Sequence, residues 1–285
     1  MRSWLAVVVV LVAIRAPAAL ADRDPQSGAP LPPARQQPAS PITDHFYVSA
    51  ALYDPQLRTY IQADPTPPSA VTTGTPLSGE HNLGLPARPA YGVVEAMVRA
   101  RERNKVRLDY FETDRTGSVL LTNPVVFGNQ VFPAGSQLGS SLNWRMFSVT
   151  YTHSFYRSER LEIGTGLAVY TLDMQAQLGV AVLGQQQLET ASGAAPALPL
   201  DLTWRISRRF SFTAHEAYFK ANIHNADGWI ADLHEDVQFR WTANFAIGAG
   251  YTSTRTSLTR TGGSSSPGHV FMSISGPQAF VRFSF

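Results

Sequence analysis

The final residues of the chain, Gln278-Ala-Phe-Val-Arg-Phe-Ser-Phe285, alternate in polarity with a period of two. Phe285, Phe283, Val281 and Ala279 fall on one face of an extended strand. Ser284, Arg282 and Gln278 fall on the other, with Phe280 its lone apolar member. A strand that is greasy on one side and carries an arginine on the other suits few folds. It is what closing a sheet into a cylinder within lipid requires, because every backbone group must be paired and only the outer face meets hydrocarbon.

The same alternation runs from about Asp44 onward, broken by two kinds of connection. Short ones carry polar residues: Arg101–Asn104, Arg157–Arg160, Ile206–Arg209 and Trp241–Asn244. Long ones are rich in Pro, Gly, Ser and Gln: Ala63–Arg88, Thr122–Ser141, Gln175–Ala195 and Thr261–His269, with the shorter Ile223–Gly228 beside them. The two kinds alternate, as the tight turns and long loops of an up-and-down transmembrane barrel do. The spacing predicts ten strands: 44–60, 89–101, 104–121, 142–156, 160–174, 196–205, 209–222, 229–241, 244–260 and 270–285. Eight is the rival count, if one hairpin lies outside the membrane.

The expected fold is therefore all-β, an antiparallel up-and-down transmembrane β-barrel. A soluble β-sandwich also alternates, but it would bury one face as a dry core. Here one face is almost uninterruptedly apolar (Val94, Ala96, Val98; Val106, Leu108, Tyr110; Leu161, Ile163, Leu167, Val169; Val237, Phe239, Trp241) while the other holds charge. Aromatic residues also gather near strand ends, as interfacial girdles do.

The terminal strand resembles the C-terminal strand of bacterial outer-membrane β-barrel proteins, which typically ends in an aromatic residue and is read by the insertion machinery. That resemblance implies an outer-membrane location and makes Val281, Phe283 and Phe285 the insertion signal. It also implies periplasmic chaperones and the barrel-insertion machinery as partners during assembly, then outer-membrane lipid and lipopolysaccharide. The other end agrees. A basic start and the apolar run Leu5–Ile14 lead to small residues around Ala21, an export signal over 1–21 too short to span a bilayer as a helix. Residues 22–43, rich in Pro, Ala and Gln, read as a disordered periplasmic leader, and 44–285 as the barrel. Removing 1–21 takes away Arg2 and Arg15, so the formal charge of +2 falls to zero and nucleic-acid binding gains no support. The chain has no cysteine, which excludes disulfides, thiol catalysis and cysteine-ligated metals.

Strand parity assigns inward charges: Glu95, Arg99, Arg107, Asp109, Glu162, Asp201, Arg205, Glu216, Lys220, Asp232, His234, Asp236, Arg240 and Arg282. Acids and bases nearly balance, and the lumen of a barrel this small is filled by its own side chains. The expectation is a salt-bridged plug rather than a charge-selective pore.

The sharpest cluster for chemistry is Asp232-Leu-His-Glu-Asp236, whose first, third and fifth residues share a face. It offers an acid–histidine pair to activate water, as in the outer-membrane barrel proteases that this chain resembles in strand count. Those enzymes also need a second carboxylate pair across the barrel, and nothing in the sequence marks one. A metal site here would need His224 or Asp227. His153-Ser154 and His215-Glu216 are adjacent pairs, so neither can act as a dyad on its own strand. Gly262–Gly268 lacks the lysine and setting of a phosphate loop. No metal and no cofactor is expected. The leading expectation is a non-enzymatic barrel serving envelope structure, surface interaction, or narrow, largely plugged passage of a small solute. The alternative is an outer-rim hydrolase, of protease or lipid-deacylase type, using Asp232, His234 and Asp236.

Overall fold

A computed structural model describes residues 39–66, 73–223, 226–261 and 267–285. The expected export signal, most of the expected leader, and His224 lie outside the described residues. The described strands are β1 (Phe46–Tyr53), β2 (Gln56–Ala63), β3 (Leu77–Ser78), β4 (Tyr91–Arg101), β5 (Asn104–Leu120), β6 (Val125–Phe127), β7 (Gln130–Phe132), β8 (Gln137–Arg157), β9 (Leu161–Val180), β10 (Gln185–Arg205), β11 (Phe210–Ile223), β12 (Ala226–Arg240), β13 (Phe245–Arg260) and β14 (Gly268–Ser284).

Each stave pairs antiparallel with its neighbour, and β1 closes the sheet on β14, with Tyr47 opposite Ser284 and Tyr53 opposite Gln278. The result is a closed ten-stranded barrel. The first stave is broken at Asp54–Pro55. Below the break β1 pairs with β4, and above it β2 pairs with the far half of β14. Proline has no N–H to give a ladder, so the break falls where the sequence withdraws a donor. Among the described residues no helix is long and apolar enough to cross a membrane.

One end of the cylinder carries the short turns (the turn end) and the other the long connections (the loop end). Near the turn end the outward faces are apolar and the inward faces polar. Along β8, Phe147, Val149, Tyr151 and Phe155 are exposed, while Ser148, Thr150, Thr152 and Ser154 are buried. Toward the loop end the same strand inverts: Leu138, Leu142 and Trp144 are buried and Arg145 is exposed. β9 does likewise, with Glu162 inside near the turn end and Met174, Ala176 and Leu178 inside beyond it.

This inversion explains the main departure from the expected strands. Gln175–Ala195, expected as a loop, is strand almost throughout, and only Ala181–Gly184 connects β9 to β10. Gly184 closes that turn at φ 62°, a left-handed conformation that glycine takes without a Cβ penalty. A hairpin standing in water no longer needs an apolar outer face, so the pattern that marks the lipid-facing strands fades.

Two segments fill the ends. At the loop end, residues 73–90 lie against the inner faces of β5 and β8, burying Leu77, Leu83 and Leu85. Gly117 permits that approach: a Cβ there would lie 2.5 Å from the backbone of Gly84. At the turn end, residues 40–43, expected within the leader, instead form a turn in which the Thr43 and Asp44 amides donate to Ser40 O at 2.9 and 3.0 Å. Ser40, Ile42 and Asp44 are buried there, and Arg99 and Arg157 donate to the Pro41, Ile42 and Asp44 carbonyls while Arg240 takes the Asp44 carboxylate.

Candidate functional site in the barrel lumen

The lumen has two storeys. The one near the turn end is built on ion pairs that cross it. Arg99 on β4 donates from Nη1 and Nη2 to Glu162 Oε1 and Oε2 on β9 at 2.8 and 3.0 Å, with both side chains 1% exposed. Ser154 donates to the same carboxylate, and Lys105 Nζ stands 3.8 Å from both Glu162 and Asp201. Arg107 reaches Asp109 at 3.3 Å and Asp201 at 3.4 Å. His215 Nδ1 lies 2.7 Å from Arg107 Nη1 and 2.9 Å from Asp201 Oδ1. Arg282 stacks over the Tyr47 ring at 4.1 Å and donates to Gln238 at 2.9 Å, with Glu95 at 3.9 Å. Tyr47 donates its hydroxyl to Glu95. Arg240 holds Asp44, and Arg205 faces Glu159 at 3.7 Å at the turn-end rim.

Parity places these groups, and it also shows two errors of sequence reading. Glu216 and Lys220 do not enter the lumen. Both are exposed on the outer surface of β11, whose odd residues, His215 among them, face inward. The strand carries apolar residues on both faces (Phe212 and Tyr218 outside, Ala217 and Phe219 inside), so hydropathy alone set its phase wrongly. The groups missed were Asp44, Lys105, His215, Tyr47 and Arg115. Lys105 and Arg115 share the odd parity of Arg107, which was signal enough to find them. Asp44 was hidden by its place as the first residue of the expected first strand, where no face had yet been phased.

Asp232, His234 and Asp236 all face inward, at the junction of the two storeys. His234 Nε2 lies 3.2 Å from Asp232 Oδ2. Asp232 also accepts from Tyr170 at 3.1 Å and from Thr254, while Asp236 accepts from Gln278 at 2.7 Å. Asp232 and His234 are thus a contact pair, and Asp236 belongs to a separate bond. Across the lumen Asp109 accepts from Ser148 at 2.8 Å. His153 and Ser154 point to opposite faces, the serine into the lumen and the histidine outward. Among the described residues no group of three or more His, Asp or Glu is placed to hold a metal ion.

The upper storey is apolar. Phe127 and Phe132 of the β6–β7 hairpin are fully buried with Leu138, Leu142 and Trp144. Arg115 is a strong polar tie within it, donating to Glu80 at 2.8 Å and to Thr59 Oγ1 and so locking residues 73–90 to β2 and β5.

A closed antiparallel cylinder with an apolar girdle outside and ionised side chains within is the fold of a bacterial outer-membrane β-barrel. No protein-family model matches the sequence, and no curated protein matches it. Among solved structures it is similar to the outer-membrane protease OmpT of Escherichia coli, with a TM-score of 0.53 and 9% identity over 84% of this chain and 96% of that one. It also matches Ail, the attachment invasion locus protein of Yersinia pestis, at a TM-score of 0.34 and 8% identity, covering 82% of this chain and 97% of that one. The toluene transporter TodX of P. putida gives 0.33 and 7%, over 87% and 92%. At 9% identity the likeness to OmpT is one of fold alone.

Proposed function

We propose that the chain is an integral barrel of a bacterial outer membrane that keeps its lumen closed to ions and works, without hydrolysis, at its outer face. The observation that carries this reading is the filled lower storey. Its cavity, lined by Tyr47, Lys105, Arg107, Asp201, His215 and Arg282 among others, measures only about 20 Å³. That is room for about one water molecule. A hydrated ion would have to part buried pairs such as Arg99–Glu162 and Asp44–Arg240, each removal leaving its partner uncompensated. In this reading the turn end faces the periplasm, the loop end faces outward, and Val281, Phe283 and Phe285 are presented to the insertion machinery after periplasmic chaperones deliver the chain. Lipid and lipopolysaccharide surround the girdle.

Reconstitution in planar bilayers tests the proposal. A closed lumen gives no steady conductance steps, and sustained steps overturn it. The contact between Asp232 and His234 favours one second reading, a rim hydrolase. Replacing Asp232, His234 and Asp236 together by asparagine, with peptide and phospholipid substrates assayed before and after, separates the two. Turnover that disappears in the triple variant establishes the enzyme.

A further inference from the structure

The upper storey holds a cavity of about 230 Å³ on the side walled by β9 to β14. Trp144, Met174, Phe219, Ile230, Leu258 and Met272 line it, and Arg260 is the only charged side chain among its described lining. An apolar cavity of roughly 150 Å³ already stays dry and takes up benzene, so a space of this size and lining favours an apolar occupant over water.

The wall beside the cavity is open. β10 and β11 pair from Arg205↔Ser211 only as far as Leu198↔Tyr218. Beyond that pair β10 continues with β9 to Gln185, and β11 continues with β12 to Ile223. The sequence supplies a reason. Successive N–H groups of a strand point to alternate neighbours, so of Pro196 and Pro199, three apart, one withdraws a donor from each side of β10. Ala191, Gly193 and Ala195 line the cavity on the unpaired stretch and leave the gap uncluttered. An open sheet edge is prohibitive in hydrocarbon, so the seam must start at the outer boundary of the lipid band. Leu198, 71% exposed, and Tyr218 mark that boundary. Lys220 is exposed on the outer surface of β11 just beyond it.

We propose that this cavity binds the apolar tail of a fatty-acid-like amphiphile, which enters through the β10–β11 seam at the membrane–water interface and sets its anionic end on Arg260. A carboxylate on a guanidinium gains a charge-assisted bond that a neutral alcohol lacks. The proposal goes beyond the closed-lumen reading and does not depend on it, because the ion-paired storey lies below the cavity.

Trp144, buried against the cavity, is the reporter. With Trp4, Trp204, Trp229 and Trp241 replaced by phenylalanine, the protein in lipid nanodiscs is titrated with a dodecanoate brominated at its tail, bromine being a contact quencher of indole. The expected result is saturable quenching of Trp144. Gly193→Phe should weaken it by about tenfold or more, since Gly193 lines the cavity and a Cβ there meets nothing within 4 Å, which leaves a ring room to occupy the space the tail would take. Arg260→Gln should weaken the acid by about tenfold and leave the matching brominated alcohol unchanged. Gly193→Leu is the second blocking variant, and heat-shifted electrophoretic mobility verifies folding of each. Nanodiscs made from brominated-chain phosphatidylglycerol, without free acid, identify the source. Quenching there that Gly193→Phe relieves assigns the tail to a resident lipid, and quenching by free acid alone assigns it to a free fatty acid. Absence of quenching in both arms overturns the proposal. So does quenching that both blocking variants leave untouched, or equal affinity for acid and alcohol in the unmutated cavity.

Discussion

Glu162 is the residue on which the lower storey can be tested with a number. Its carboxylate takes two guanidinium bonds from Arg99, a hydroxyl bond from Ser154 and the field of Lys105 3.8 Å away. Glu162→Met keeps the volume roughly and removes all of these. Breaking a buried pair from one side costs about 3–5 kcal/mol, because the remaining ion is stranded. Arg99 retains three carbonyl acceptors, Glu102 O at 2.8 Å, Asp44 O at 3.1 Å and Pro41 O at 3.3 Å. Lys105 retains Asp201 at 3.8 Å. The cost should therefore sit at the low end, about 3 kcal/mol, or roughly a 150-fold fall in the folding constant. Arg99→Met should cost a similar amount, and the double variant should recover about 2 kcal/mol of the sum, since it strands neither ion. Urea unfolding in lipid vesicles, followed by tryptophan emission, reads all four corners of the cycle. A single-variant cost below about 1 kcal/mol, or strict additivity in the double, would refute the claim that these ions are held by each other.

Gly117→Ala should loosen residues 73–90 and cost about 1–3 kcal/mol, because its Cβ would meet Gly84 backbone at 2.5 Å; cleavage by trypsin near Arg88 measures it, and unchanged resistance would contradict the packing. Glu216→Leu should be neutral or stabilising by up to about 1 kcal/mol, as a carboxylate leaves the outer girdle, whereas His215→Leu should cost about 2 kcal/mol by unseating Arg107 and Asp201. The reverse ranking would restore the opposite phase for β11. Asp44→Ala should free the turn at residues 40–44 and cost about 3 kcal/mol, seen as faster hydrogen exchange at the Thr43 and Asp44 amides; unchanged protection there would show that Arg240 is not the anchor.

Much of the architecture was legible because lipid imposes a severe grammar. The faces holding Val94, Leu108, Leu167 and Phe239 are apolar for one reason, and ten such segments gave ten staves, with bounds close to those expected except at the loop end of β8, β9 and β10, where the strands run on by five, six and eleven residues. The candidate site was legible where charge sat on a face that hydropathy had already phased, as with Arg99, Arg107 and Glu162. It was not legible where that phasing was ambiguous. On β11 both faces carry aromatic and small residues, so Glu216 and His215 were exchanged. Pairing across the lumen was also beyond parity: nothing in the sequence links Arg107 on β5 to His215, 108 residues away.

The inversion along β8, β9 and β14 ties the remaining features together. Where lipid surrounds the barrel, the outside must be apolar and the inside is free to be charged. Where water surrounds it, the inside must supply the apolar core that any soluble β-protein needs. On β8 the exchange falls between Arg145, paired with Glu112 at 3.0 Å outside, and Phe147; on β14 it falls between Ser275 and Ala279. These points fix the outer boundary of the lipid band from side-chain chemistry alone, and Tyr110, Phe147, Tyr218 and Tyr251 stand at it as a girdle. The turn-end girdle, with Trp204, Trp241 and Phe283, lies at the other boundary. The placement makes a last prediction. Nanodisc lipids brominated near the headgroup should quench Trp204 and Trp241 strongly, and a tryptophan introduced at Tyr218 equally. One introduced at Thr190, eight residues beyond Leu198 toward the loop end, should emit as in bromine-free lipid, because about 3.3 Å per residue carries it more than 20 Å past the boundary. Quenching at Thr190 equal to that at Tyr218 would mean that lipid reaches the upper storey, and that the apolar interior there has some other cause than water outside.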